Sequence, residues 1–202
     1  MAAAVVGFDL DMTLIDPRPG MVRAFEALTD EFGLRLDGEH FAANLGPPLQ
    51  DVLRGYGFEP PLLDRLVTRF RELYPSIVIQ LTDPMPGAVE ALAAVRSADG
   101  RTLVVTGKYE PNAALHLKAL GWKVDHLRGD VFAARKGDVL REQGASIYVG
   151  DHPADVIGAK AGGAVAVGVA TGPVHAEGLA EAGADVVLAD LTEFPAWFAS
   201  RV

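Results

Sequence analysis

Asp9, Asp11 and Thr13 stand at alternate positions directly after the apolar run 2–8, which reads as a buried strand. Two carboxylates and a hydroxyl at a strand end are costly unless a cation or a phosphate compensates for them. In phosphoryl chemistry one carboxylate attacks, forming an aspartyl-phosphate, the other handles protons, and the threonine fixes their geometry. Other polar groups recur at comparable places. Thr106-Gly107-Lys108 follows the strand of Leu103-Val104-Val105, Lys136 opens a helical pattern after segment 125–132, and Gly150-Asp151-His152-Pro153-Ala154-Asp155 follows Ile147-Tyr148-Val149. Asp9 and Asp151 offer carboxylate ligands to a hard cation such as Mg²⁺, and the Asp11 backbone carbonyl offers a third. Thr106 and the loop N–H groups suit phosphate oxygens, and Lys136 presents positive charge to the phosphate and to Asp9. The metal would offset the repulsion between carboxylate and phosphate. Asp11, close to Asp9, is a candidate for a raised pKa, able to protonate a leaving oxygen and then activate water.

These groups need elements to bring them together. From residue 101 the chain alternates strands and helices: strands at 101–106, 125–132, 147–149, 164–169 and 185–188, helices at 111–120, 136–143, 153–161, 177–182 and 195–202. Alternation of this kind predicts βαβ units and a parallel sheet, an α/β fold with a Rossmann-like three-layer core. Ligands then sit beyond the carboxyl ends of the strands, where all four polar loops can converge. Residues 16–85 differ. Their only β-like run is Ile77-Val78-Ile79, and the apolar spacing of Met21, Phe25, Leu28 and of Leu62, Leu66, Phe70, Leu73 is helical. The expected organisation is a core of residues 1–15 and 86–202, with a helical domain of residues 16–85 inserted between hinges at 16–20 and 83–87.

Composition excludes several classes. With 27 acidic and 18 basic residues the formal charge is −9, which argues against general nucleic-acid or anionic-membrane binding. There is no cysteine, hence no disulfide and no thiolate metal site. The opening apolar run lacks the form of a signal peptide and is too short to span a bilayer, so a cytoplasmic location is expected.

Taken in order, the four motifs resemble those of the haloacid dehalogenase-like hydrolase superfamily: Asp9-x-Asp11-x-Thr13, Thr106, Lys136 and Gly150-Asp151-x-x-x-Asp155. The helical insertion resembles that superfamily's α-helical cap, and Gly46-Pro47-Pro48-Leu49 is similar to the cap loop of phosphoglycolate phosphatase-like members. The resemblance implies Asp9 as nucleophile and Asp11 as acid/base. It implies phosphate or substrate binding by Thr13, Thr106, Gly107, Lys108 and Lys136. Mg²⁺ would be held by Asp9, Asp11 through its carbonyl, and Asp151, with Asp155 in support. The expected activity is hydrolysis of a small phosphomonoester; a phosphomutase and a non-catalytic binding relative are the alternatives.

Two residues depart from the pattern. Met12 stands where glycine is usual, and is expected to narrow the pocket or alter the hinge. Gly107 stands where Asn or Ser is common, and removes one phosphate-binding side chain. Each group also has a plainer reading. Asp9 and Asp11 suit a solvated turn, Thr106 a strand-end cap, Lys136 an exposed helix start, and Asp155 a residue favoured by a helix dipole. His40, His116, His126 and His175 read as surface residues and His152 as a solvent-facing loop residue. Arg18, Asn44, Gln50 and Tyr109 are further candidates to face the pocket.

Overall fold

The computed structural model describes residues 3–201. Met1 and Ala2 at the start, and Val202 of the expected last helix, lie outside the described residues. β1 (Val5–Phe8) leads through a tight turn to the short β2 (Ile15–Asp16). Four helices follow: α1 (Arg18–Phe32), α2 (Gly38–Ala43), α3 (Leu49–Gly55) and α4 (Leu62–Ile77). After a 3₁₀ turn at Ile79–Leu81, β3 (Asp83–Pro84) pairs antiparallel with β2, Ile15 opposite Pro84 and Asp16 opposite Asp83. This two-stranded ribbon lies where the sequence suggested hinges; strands so short leave no alternating pattern to read.

From there strands and helices alternate. α5 (Ala88–Ser97), β4 (Arg101–Val105), α6 (Glu110–Ala119) and β5 (His126–Arg128) come first. Next are α7 (Ala134–Gln143), β6 (Ile147–Gly150), α8 (Pro153–Gly162) and β7 (Val165–Val169). The chain closes with α9 (Ala176–Glu181), β8 (Val186–Leu188) and α10 (Phe194–Ala199). The large sheet has six strands in the order β5-β4-β1-β6-β7-β8, and every pairing in it is parallel.

β1 is central, with Phe8 opposite Val104 on one side and Val149 on the other. Successive side chains of a strand face opposite ways, and two hydrophobic layers result. Val104, Val149 and Val167 point into one with α5 and α10; Leu103, Val105, Tyr148 and Ala166 point into the other with α7 and α8. Covered on both faces, the strands read as nearly continuous apolar runs. The chain is thus the expected α/β three-layer fold.

One expectation for the helical region is corrected. Ile77-Val78-Ile79 is the end of α4 and the start of the 3₁₀ turn, not a strand. The Val78 N–H donates to the Tyr74 carbonyl at 2.9 Å, continuing the helical ladder. The face of Leu63, Leu66, Val67, Phe70 and Tyr74 is buried, and that burial outweighs the β preference of Ile and Val. Phe25 of α1 stacks on Phe41 of α2 at 4.1 Å, and Phe70 of α4 meets Phe25 edge-on at 6.0 Å. No helix among the described residues is long and apolar enough to cross a membrane.

Candidate active site

The turn after β1 sets the first carboxylates. Asp9 donates its N–H to the Val149 carbonyl at 2.8 Å, extending the β1–β6 pairing by one residue, and Leu14 and Ile15 both donate to the Leu10 carbonyl. Met12 is left-handed there, with φ of 60°. The Thr171 hydroxyl pins the turn by donating to the Met12 carbonyl at 2.6 Å. Met12 does not narrow the pocket as expected: its side chain is buried in the core and lines neither cavity of the site.

Asp9, Asp151 and Asp155 are all buried, and each offers a carboxylate oxygen within 4.8 Å of the others. Lys136 holds two of them, donating to Asp9 Oδ1 at 2.8 Å, to Asp155 Oδ1 at 2.6 Å and to the Tyr148 hydroxyl at 2.9 Å. This lysine enters the site because α7 and α8 pack closely. A Cβ on Gly158 of α8 would stand 2.8 Å from Lys136 Cβ. Lys136 is therefore not an exposed helix start. Burial would lower its pKa, but Asp155 and Asp9 together hold it well above the ordinary value.

Thr13 is fully buried, and its hydroxyl donates to Asp151 Oδ1 at 2.7 Å. It stands behind the carboxylates, where it orients one of them, and lines neither cavity. Burial, then the charges of Asp155 and Asp9, push Asp151 well above the usual carboxylate range. Burial likewise raises Asp155 to about 6, against the pull of Lys136. Asp155 Oδ2 also accepts the His152 N–H at 3.0 Å, while His152 Nδ1 accepts the Ala154 N–H at 3.0 Å. His152 is thus a half-buried helix cap beside the cavity rather than a solvent-facing loop residue.

Asp11 is placed differently. Its Oδ2 pairs with Lys108 Nζ at 2.9 Å, and its Oδ1 is buried with no hydrogen-bond partner. Burial raises its pKa against the opposing charge of Lys108. Lys108 also donates to the Tyr74 hydroxyl, which meets His116 Nε2 at 2.8 Å. The hydroxyl accepts from the ammonium, so its own proton goes to a neutral His116. Burial, then the charge of Lys108, lowers His116 to about 2. His116 is therefore buried, not a surface residue. Thr106 is buried too, and its Oγ1 accepts the Lys108 N–H at 3.3 Å. At Gly107 a Cβ would stand 3.3 Å from both the Gly46 carbonyl and the Phe132 ring, so the missing side chain leaves little vacant space.

Four carboxylates, Asp9, Asp11, Asp151 and Asp155, face two ammonium groups, Lys108 and Lys136. One divalent cation would cancel that excess. The donors are all hard oxygens, which suit Mg²⁺ rather than a soft metal. Room is kept for Asp151 by Gly172, where a Cβ would fall 1.9 Å from Asp151 Oδ2. The buried carboxylates thus fit a hard divalent ion.

A small cavity of about 20 Å³ lies among Asp9, Asp11, Thr106, Lys136, Asp151 and Asp155. It shares Asp11, Gly46, Gly107 and Lys108 with a larger one of about 160 Å³ beneath the helical segment. Gln50 and Tyr109 line the larger cavity as expected. Arg18 and Asn44 do not; they bond to Asp16 and to the His40 carbonyl. Sequence reasoning missed Tyr74, Tyr148, Thr171 and Gly172. The last two had a signal, for they form a fifth polar loop after a strand already recognised, β7.

The family model described as haloacid dehalogenase-like hydrolase matches residues 6–160. A phosphoglycolate phosphatase of Mesorhizobium japonicum is 29% identical over 196 residues, covering 84% of this chain and 83% of that protein. The tyrosine-protein kinase PtkA of Mycobacterium tuberculosis is 30% identical over 173 residues, covering 79% of this chain and 59% of that protein. Among solved structures, a haloacid dehalogenase-like family hydrolase of Streptococcus pneumoniae matches with a TM-score of 0.81 at 22% identity, over 98% of this chain and 100% of that one.

Proposed function

The chain belongs to the haloacid dehalogenase-like hydrolase family, and from that premise we propose a Mg²⁺-dependent phosphatase that cleaves a small phosphomonoester, phosphoglycolate-like or another phosphometabolite, through an aspartyl-phosphate on Asp9. The observation that carries the reading is the division between two aspartates. Asp9 shares Lys136 with the carboxylate cluster, while Asp11 stands apart with one oxygen held and the other free. In this reading residues 16–85 are a cap over a core of 1–15 and 86–202, and the protein works in the cytoplasm.

Asp9 Oδ1 is held by Lys136, and Oδ2 accepts no hydrogen bond from a described residue. Oδ2 attacks phosphorus and the ester P–O bond breaks. Asp11 gives its proton to the departing oxygen, from the Oδ1 that Lys108 leaves free. Water then attacks the phosphorus of the acyl phosphate, Asp11 takes the water's proton, and phosphate leaves as Asp9 is restored. The Thr106 hydroxyl, which accepts the Lys108 N–H, and the Gly107 N–H serve the transferring oxygens. Lys136 orients Asp9 and offsets the charge gathered there. A Mg²⁺ ion held by Asp9, Asp151 and the Asp11 carbonyl, with Asp155 in support, would supply the charge that lets a carboxylate approach a phosphate.

The test is hydrolysis of p-nitrophenyl phosphate with Mg²⁺. The wild type is expected to release phosphate, and Asp9→Asn to lose at least about a thousandfold in kcat, the scale on which loss of a nucleophile is felt. Wild-type turnover in Asp9→Asn would overturn the mechanism. Isomerisation of a sugar phosphate without net phosphate release would point instead to a mutase on the same carboxylates.

A further inference from the structure

We propose that Arg71 is a specificity-determining residue, which selects esters whose alcohol part carries a second anionic group, a carboxylate above all. The inference rests on the phosphatase reading and deepens it. The phosphoryl group belongs among the carboxylates and Lys136. The shared wall of Asp11, Gly46, Gly107 and Lys108 leaves one direction for the alcohol part, past Asp11 into the larger cavity. At about 160 Å³ that cavity is below the usual size of a ligand pocket, about 300–1,000 Å³. It suits an alcohol of a few heavy atoms.

Much of the wall is apolar, with Phe41, Leu45, Val67 and Phe70. Two cations line it, and one is already committed. Lys108 is almost fully buried against Asp11 and Tyr74. Arg71 is different. Its guanidinium lies over the Tyr109 ring, 3.7 Å from the centroid, and forms no salt bridge and no side-chain hydrogen bond with a described residue. Neither acidic residue of the wall forms an ion pair with it: Asp11 is paired with Lys108, and Asp130 Oδ2 turns to the Glu110 N–H at 3.1 Å. Stacking on an aromatic face fixes the guanidinium plane and leaves its N–H edge for a partner. That edge matches a carboxylate with two parallel hydrogen bonds. In a chain of net charge −9, a stacked arginine without an acid beside the reaction centre is the group that would draw in a multiply charged ester.

The experiment compares kcat/KM for 2-phosphoglycolate with that for ethyl phosphate, in the wild type, Arg71→Met and Arg71→Lys. The wild type is expected to favour the carboxylate ester by at least about tenfold, the worth of a charged hydrogen bond. In Arg71→Met the ratio falls to about one, mainly through KM for the anionic ester. Arg71→Lys keeps part of the preference, because its charge remains and its fork does not. A structural role would lower both esters together and leave the ratio unchanged. That outcome, or a wild type without preference, overturns the assignment of Arg71. Failure of the wild type to hydrolyse any ester, p-nitrophenyl phosphate included, overturns the phosphatase reading and this one with it.

Discussion

Asp151 shows what single residues give up for the site. Its folded pKa is raised by burial and by Asp155 and Asp9. For a carboxyl raised in the folded state, stability falls as pH rises through its unfolded value, so at neutral pH the cluster weakens the fold. Asp151→Asn keeps an oxygen for Thr13 and removes one buried charge. In buffer with EDTA at pH 7, urea unfolding is expected to find this variant more stable by about 1 kcal/mol, and saturating Mg²⁺ to reverse the order. A variant less stable than the wild type in EDTA would show that repulsion does not dominate. Met12 makes the opposite bargain. Its left-handed backbone costs about 1–2 kcal/mol relative to glycine, and burying its side chain returns about 1.5–3 kcal/mol. The residue was conspicuous in the sequence but its direction was not: the φ of 60° belongs to the turn closed by Leu10, Ile15 and Thr171. The carboxylates were legible because Asp9, Asp11 and Asp151 closely follow apolar strands and Asp155 opens the helix after one of them. Tyr74 and His116 were not, because they are 42 positions apart and read as ordinary helix residues.

Helices α4 and α6 carry that buried pair, and so join the helical segment to the core. Tyr74 comes from α4, between β2 and β3, whereas His116 and Lys108 follow β4 and Asp11 follows β1. His116 has a pKa of about 2 when folded, against 6.5 for the free side chain. Between these values the unfolded chain binds a proton that the folded chain refuses, so stability from this group is lost as pH falls below 6.5. The loss reaches about 2 kcal/mol at pH 5. His116→Gln cannot titrate there. Denaturant unfolding is expected to show the advantage of wild type over variant shrinking by about 2 kcal/mol between pH 7.5 and pH 5. A difference that stayed constant would mean that His116 titrates normally. At this scale the sequence was most readable where one period dominated, in the strands and helices after residue 101. It misled at Ile77-Val78-Ile79, where three β-branched residues continue a helix because the turns before them are buried on one face.

The whole molecule is arranged around β1. The strand pairs with β4 and β6, and its last residue, Phe8, meets Phe194 of α10 edge-on at 5.5 Å. Phe194 is fully buried and stacks on Phe198, so Phe194→Ala is expected to cost about 3–5 kcal/mol in urea unfolding. A loss under about 1 kcal/mol would mean that α10 is not needed to support the strand before Asp9. The alternation of elements made the parallel sheet legible in advance. It could not reveal which side chains meet beneath the helical segment, since those contacts depend on how its four helices pack, not on periodicity. The sheet order also has a consequence in time. Of these strands β1 is synthesised first, yet its partners begin at Arg101 and Ile147, and the helix over Phe8 begins at Phe194. A nascent chain carries Asp9 with nowhere to seat it until those later segments emerge, and the strand before it waits unpaired over the same interval. Until Asp151 and Asp155 have left the ribosome, the acidic cluster does not exist.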